Sequence, residues 1–339
     1  MNFFESLYIK VFVNIIVGRD NTVAYIESCS KKGVINSHEE SFDTLRINEK
    51  MLSVIKKYTS ETPFYYISFL DASSSQGAIP TCAKNRIAYY YDVSDSEYKC
   101  QDSKWINYTS KTDLYEVERH YREIGVDFIF SPFSVLAHFF KDKIDGQAAI
   151  YVLLQEDFIS LAVFKESELL YAQRVGMKSD SAKEELDSVD AAMDMDVDLN
   201  LDDSIDLDNV SVTDEMDSLD DFGDIEDLDS LDDIDEFSET QDVEEEFYHE
   251  HEEESEQESD DFFNEDYQRF FLVQSAINSF YKDVRYQSEF LENIYIADAV
   301  GVTGELKRYF EEEMFMNAYV RRVSLGAEVS ALARLEVLA

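Results

Sequence analysis

Positive charge is what this sequence has least of. Against 74 aspartates and glutamates it sets 29 lysines and arginines, a formal net charge of −45 over 339 residues. A chain so negative is repelled by nucleic acid and by anionic membrane surfaces, so neither is expected as its main partner. Long apolar runs are missing as well: no stretch approaches the ~20 residues that a spanning helix needs. The apolar start, Leu7 to Val17, is interrupted by Lys10 and Asn14 and has no cleavage site behind it. No secretory leader and no direct membrane insertion are therefore expected, and the chain reads as cytoplasmic. Cysteine is scarce too. Cys29, Cys82 and Cys100 form an odd set without the paired spacing of a metal site. Free thiols in a reducing compartment are the expectation, with a meeting of Cys82 and Cys100 across a hairpin left open.

The negative charge is concentrated in one place. Asp180 to Asp266 holds 40 acidic residues and a single base, Lys183, for a net of −39. The other 252 residues carry a net of only −6. The chain is thus a nearly neutral globular protein interrupted by an acidic insertion, whose self-repulsion and few aromatics favour disorder. Within it DSLDD occurs at 217–221 and again at 229–233. Leu219, Phe222, Ile225, Leu228, Leu231, Ile234 and Phe237 recur every three residues, close to helical spacing. A solvated linker is one reading; a segment that docks on a basic partner through these apolar residues is the other.

Around Gln147–Met177 the pattern is the most legible in the chain. Apolar runs at Ala148–Leu154, Phe158–Phe164 and Leu169–Val175 are separated by Glu156–Asp157 and by the turn Lys165–Ser167, a three-stranded meander. The first two runs are apolar at nearly every position, which places them in a sheet covered on both faces. The same form appears at the start: Tyr8–Val17, a tight turn at Gly18–Asn21, Thr22–Cys29, a turn at Ser30–Gly33, and Val34–Ser41. Between the meanders, a helix is expected over Ile47–Tyr58, strands over Phe64–Leu70, Arg86–Val93, Lys104–Thr109 and Val126–Phe130, and helices over Leu114–Ile124 and Pro132–Phe140. Asp71–Gly77 and the stretch between Val93 and Lys104 read as loops. Beyond the acidic segment come a helix over Tyr267–Tyr281, a strand over Ile294–Val300, a helix over Glu305–Glu313 capped by Thr303, a strand over Ala318–Val323 and a helix over Ala327–Leu338. Alternating strands and helices make this an α/β chain.

A meander opening each half resembles the actin-like superfamily, and the closest resemblance is to the PilM and GspL scaffolds of type IV pilus and type II secretion machines. It rests on element order over about 1–178 and 267–339, on Tyr121-Arg122-Glu123-Ile124-Gly125 leading into a strand, on Glu168-Leu169-Leu170-Tyr171, and on the ending Val323–Leu338. The resemblance implies an actin-like fold of duplicated, ribonuclease H-like halves: 1–178, the first half and the start of the second; 179–266, the insertion; 267–339, the remainder. In nucleotide-binding members the first turn of each half carries an aspartate and a glycine, so that backbone N–H groups approach phosphate and the carboxylate handles metal. Here the first turn is Val17-Gly18-Arg19-Asp20, with no aspartate before the glycine, and the second is Leu154-Gln155-Glu156-Asp157, with no glycine. The adenosine-side motif stands as Ala297-Asp298-Ala299-Val300-Gly301. Only Gly18, Asp20 and Gly301 remain as remnants, so no bound nucleotide or other cofactor and no ATP hydrolysis are expected.

Other chemistries fail on spacing. Asp194, Asp196 and Asp198 imitate the start of a calcium loop, but Leu199 and Ile205 stand where its glycine and glutamate belong. His249 and His251 lie among glutamates without a rigid scaffold. Ser73–Gly77 lacks a nucleophile elbow and a phosphate-loop lysine. His120 and His138 sit on expected helices among apolar residues. No catalytic or metal-ligating residue is assigned.

The functional expectation is a non-enzymatic cytoplasmic scaffold, peripheral to the inner membrane. By resemblance it binds the cytoplasmic tail of an inner-membrane component and contacts the assembly ATPase, with homo-oligomerisation left open. Two alternatives stand beside it: an actin-like ATPase related to FtsA, and a regulator acting through the acidic segment on a basic partner.

Overall fold

The computed structural model describes residues 8–177, Asp145 apart, and 252–338, with side chains in the second block from 265 to 337. Leu219, Phe222, Ile225, Leu228, Leu231, Ile234 and Phe237, the Asp194–Asp198 run, and His249 and His251 lie outside the described residues.

The first half begins with an antiparallel meander of β1 (Lys10–Val17), β2 (Thr22–Ser30) and β3 (Gly33–Phe42). Helix α1 (Glu49–Thr59) follows, started by Asn48, whose side chain accepts the Met51 N–H at 2.8 Å. It leads into β4 (Tyr65–Leu70), which runs parallel to β1. A small sheet is inserted next: β5 (Gln76–Ile79), α2 (Lys84–Tyr90), β6 (Ser96–Gln101) and β7 (Trp105–Ser110). Then come α3 (Lys111–His120), β8 (Phe128–Phe130) parallel to β4, and α4 (Pro132–Phe139), capped by Ser131 as its sequence suggests.

The second half repeats the plan. A meander of β9 (Ala149–Leu154), β10 (Phe158–Lys165) and β11 (Glu168–Gly176) is followed by α5 (Glu252–Lys282), β12 (Asn293–Asp298), α6 (Gly304–Glu312), β13 (Asn317–Arg322) and α7 (Leu325–Leu338). The two large sheets have matching strand orders, β3-β2-β1-β4-β8 and β11-β10-β9-β12-β13, each antiparallel on the meander side and parallel on the other. This duplicated topology is the actin-like fold. The insertion between β11 and α5 falls where the first half has only a loop between β3 and α1.

Burial explains why β9 is apolar throughout. Ile150, Val152 and Leu154 face α5 and α6 in one core, whereas Ala149, Tyr151 and Leu153 face α4 and α7 in another. Every one of these side chains is essentially inaccessible. Full burial of such a side chain contributes about 1.5–3 kcal/mol. The second of these cores also takes in Phe12 and Ile16 of β1, because α7, from the second half, packs on β1, β2 and β4. In exchange α4, from the first half, packs on β9, β10 and α7. Each half therefore completes its core with a helix from the other.

Five expectations need correction. Arg86–Val93 is not a strand: residues 84–90 form α2, because Ile87 turns into the small core with Ile79 and Ile106. Helical spacing then carries Tyr90 to Tyr286 and, beyond the helix end, Tyr91 to Tyr108. The polar stretch before Lys104 is the exposed edge strand β6, which shows no apolar alternation because solvent covers it. Gln76 and Gly77, placed in a loop, begin β5. Cys82 and Cys100 are joined as a disulfide, with Cα atoms 5.7 Å apart, so Cys29 alone is free and buried. The helix expected from Tyr267 also starts earlier, at Glu252, inside the acidic stretch.

Candidate functional site

The first turns of the two meanders face each other across the cleft between the halves. Val17↔Thr22 closes the first hairpin and Leu154↔Ile159 the second, so Gly18–Asn21 and Gln155–Asp157 project from equivalent ends of β1 and β9. In an actin-like molecule these turns hold phosphate. Here they hold each other.

The Arg19 backbone N–H donates to Glu156 Oε2 at 2.6 Å. The Arg19 guanidinium donates from Nε to Asp157 Oδ1 at 2.9 Å and from Nη2 to the Glu156 carbonyl at 2.7 Å. Glu265 of α5 stands 3.5 Å from Nη1. The hydrogen bond to Asp157 raises the pKa of Arg19, with burial opposing, so the guanidinium stays charged at any working pH. Gly18 owes its place to closeness, since a Cβ there would lie 2.7 Å from Glu156 Oε2. A carboxylate from one half thus occupies the backbone donor that the other half would offer to a phosphate oxygen.

The adenosine-side turn is filled in the same manner. Asp298, at the end of β12, is 1% exposed. Its Oδ1 accepts the N–H groups of Val300 at 3.0 Å and Gly301 at 2.7 Å, and its Oδ2 that of Val302 at 3.2 Å. Arg322 closes over it, with Nε 3.2 Å from Oδ2. Gly301 has φ +94°, and a Cβ there would meet Arg322 Nη1 at 2.9 Å, so turn geometry and crowding both favour glycine. The amides of this turn are satisfied by the chain's own carboxylate.

Helix α5 braces the cleft from the side. Asp266, fully buried, accepts from the Thr303 N–H at 2.8 Å and the Thr303 hydroxyl at 2.7 Å, and pairs with Arg269 at 2.8 Å. Arg269 also reaches Glu265 at 2.5 Å. Buried charges are tolerated only when paired and hydrogen-bonded, and this network meets that condition at Asp266. Arg174 of β11 lies beneath the second turn, donating to Ser160 Oγ at 3.0 Å and weakly to Gln155 Oε1 at 3.4 Å, with its guanidinium 4.1 Å above the Phe158 ring. Burial pushes this arginine down to about 10.

Of the sequence-assigned remnants, Asp20 and Gly301 line one cavity of about 310 Å³ together with Glu156, Glu265 and Arg269. Gly18 lies beside it against Glu156 without lining it, and Asp20 is exposed. The sequence reading placed the carboxylates Glu156 and Asp157 in the second turn. It missed Arg19 as their mate, although opposite charges in equivalent turns of a duplicated fold were a visible signal. It also missed Asp266 and Asp298, which only the folded chain marks as buried. His138, on an expected helix, pairs with Glu328 at 2.7 Å. Among the described residues no group of three His, Cys, Asp or Glu side chains gathers to hold a metal ion.

Residues 150–338, more than half of the chain, match a family described as a domain of unknown function (DUF8341). The chain belongs to this family. Residues 8–137 match a second description of the same kind (DUF8569). The two matches thus separate at the junction between the duplicated halves. No curated protein matches the sequence. Among solved structures the chain is similar to a PilM–PilN type IV pilus biogenesis complex, at 9% identity over 91% of this chain and 87% of that one, with a TM-score of 0.46. It is similar to ethanolamine utilization protein EutJ from Carboxydothermus hydrogenoformans, at 7% identity over 91% and 84%, with a TM-score of 0.38. A protein of actin-like ATPase fold and unknown function from Bacteroides thetaiotaomicron is similar at 15% identity over 57% and 80%, with a TM-score of 0.34. Among the described residues no helix is long and apolar enough to cross a membrane.

Proposed function

We propose that this member of the DUF8341 family is a non-enzymatic, actin-like scaffold of an envelope-spanning pilus, secretion or DNA-uptake machine. It works on the cytoplasmic side, held to the inner membrane through the cytoplasmic tail of a membrane component. The observation that carries the non-enzymatic part is the Arg19–Glu156–Asp157 clasp. A nucleotide entering the cleft must break three hydrogen bonds and bring its phosphates against Glu156, Asp157 and Glu265. Asp298 supports the same reading on the adenosine side. The choice of machine rests on the sequence resemblance at Tyr121–Gly125, Glu168–Tyr171 and Val323–Leu338.

Calorimetric titration of magnesium–ATP into the full chain tests the cleft. The expected result is no heat and no thermal shift; micromolar binding would overturn the scaffold reading and favour an FtsA-related ATPase. Fractionation of the native cells tests the rest. The chain is expected to sediment with the inner membrane and to come off in high salt, and recovery wholly in the cytosol would remove the membrane-component partner.

A further inference from the structure

Away from the cleft, the lower end of the first sheet and the C-terminal end of α7 enclose a groove of about 590 Å³. Its floor is apolar, made by Phe12, Val34, Leu335 and Val337. Val34 and Leu335 are 51% and 54% exposed, although each is large and apolar. Lys31 and Lys141 stand on its rim. Lys10, Arg334 and His138 also line it, but each is already engaged, Arg334 by Glu27 and His138 by Glu328. Among the described residues no carboxylate lines the groove. In a chain of net charge −45 this is a local reversal of sign.

An occupant must bring apolar side chains for the floor and negative charge for the rim. The chain carries such a segment itself. Residues 217–237 hold eleven acidic residues and no basic one, with Leu219, Phe222, Ile225, Leu228, Leu231, Ile234 and Phe237 spaced among them. They lie within the 74 residues between Met177 and Glu252. A chain of that length spans up to roughly 240 Å, so reach imposes no limit. Tethering also raises the local concentration of the segment at the groove far above that of any free partner.

We propose that residues 217–237 dock in cis in this groove, so that any other ligand of the groove must displace them. The inference does not depend on the state of the cleft, and its test is separate from the nucleotide titration. Full-length chain, mixed from ¹⁴N- and ¹⁵N-labelled material, is treated with a carbodiimide, which joins carboxylates to lysines at zero length, and the links are mapped by mass spectrometry. The expected result is same-chain links from 217–236 to Lys31 and Lys141, severalfold over those to the exposed lysines Lys56, Lys57 and Lys307. Val34→Asp on the groove, and Leu219→Ser with Phe222→Ser on the segment, should each reduce the favoured links severalfold. Both sets of changes fall outside any buried core of the described residues, so the fold is kept. Links spread evenly over all exposed lysines would overturn the proposal, as would links insensitive to those substitutions. Mixed ¹⁴N/¹⁵N links would assign the groove to a second copy instead. Links from Glu5 would assign it to the residues before Tyr8.

Discussion

Arg19 has the most to say at the scale of single residues. Its backbone and side chain together tie the first turn of one half to the first turn of the other. Its side chain is only partly buried, so replacement is a modest change for stability, about 1 kcal/mol. Its larger effect is on closure: Arg19→Ala should speed amide hydrogen exchange at residues 17–21 and 155–158, and unchanged exchange would mean that other contacts hold the cleft. Asp266 is the contrasting case. Removing Asp266 leaves Arg269 with Glu265 alone and the Thr303 N–H and hydroxyl without their acceptor, at about 1–3 kcal/mol, so Asp266→Ala should lower the urea midpoint more than Arg19→Ala does. Alkaline pH probes a third residue. Burial pushes the Tyr121 hydroxyl up to about 12 from an ordinary 10.0. Between those values the folded chain keeps a proton that the unfolded chain has released, so stability falls as pH rises through that window. Tyr121→Phe should flatten that fall, as read by urea midpoints at a series of pH values.

Elements show how packing overrides local preference. Alanine is a better helix former than glycine by about 1 kcal/mol, so Gly326→Ala in α7 would be stabilising on an isolated helix. In this molecule a Cβ at Gly326 would lie 2.3 Å from Tyr25 Cβ, a rigid part of β2. Overpacking of this kind costs about 1–3 kcal/mol, so the substitution should lower the melting temperature; a rise would show that α7 can slide on β2. The small inserted sheet is similarly decided by contacts. Its pattern of tyrosines favours a strand at 86–93, but Ile87 has a core to fill only if the backbone turns helical. The disulfide between Cys82 and Cys100 fastens the same sheet. Closing a loop of this size stabilises by about 3 kcal/mol, so reduction should destabilise the inserted sheet, seen as faster exchange of β6 and β7 amides.

For the whole molecule, the exchange of α4 and α7 between halves has a direct consequence. Neither sheet has a complete apolar cover without a helix from the other half. Calorimetric unfolding should therefore show one transition with equal van't Hoff and calorimetric enthalpies, whereas two resolved peaks would mean that the halves fold separately. The duplicated plan was legible in the sequence because each meander is a local pattern of apolar runs and short turns, and periodicity reports local burial well. The α/β alternation and the caps at Ser131 and Thr303 were legible for the same reason. Edge strand β6 was not, because an exposed strand has no burial pattern to display.

The sequence by itself determined the two meanders, the location of the charge and the departure of all three nucleotide motifs from their pattern. Each is a property of residues close together in the chain. Only the tertiary structure decided what the two first turns touch. Arg19 and Glu156 are 137 residues apart, and Asp266 and Thr303 are 37 apart. The groove joins β1, β2, β3, α4 and α7. Such pairings depend on how two sheets and their exchanged helices close on each other, and no local pattern of hydrophobicity or charge carries that information.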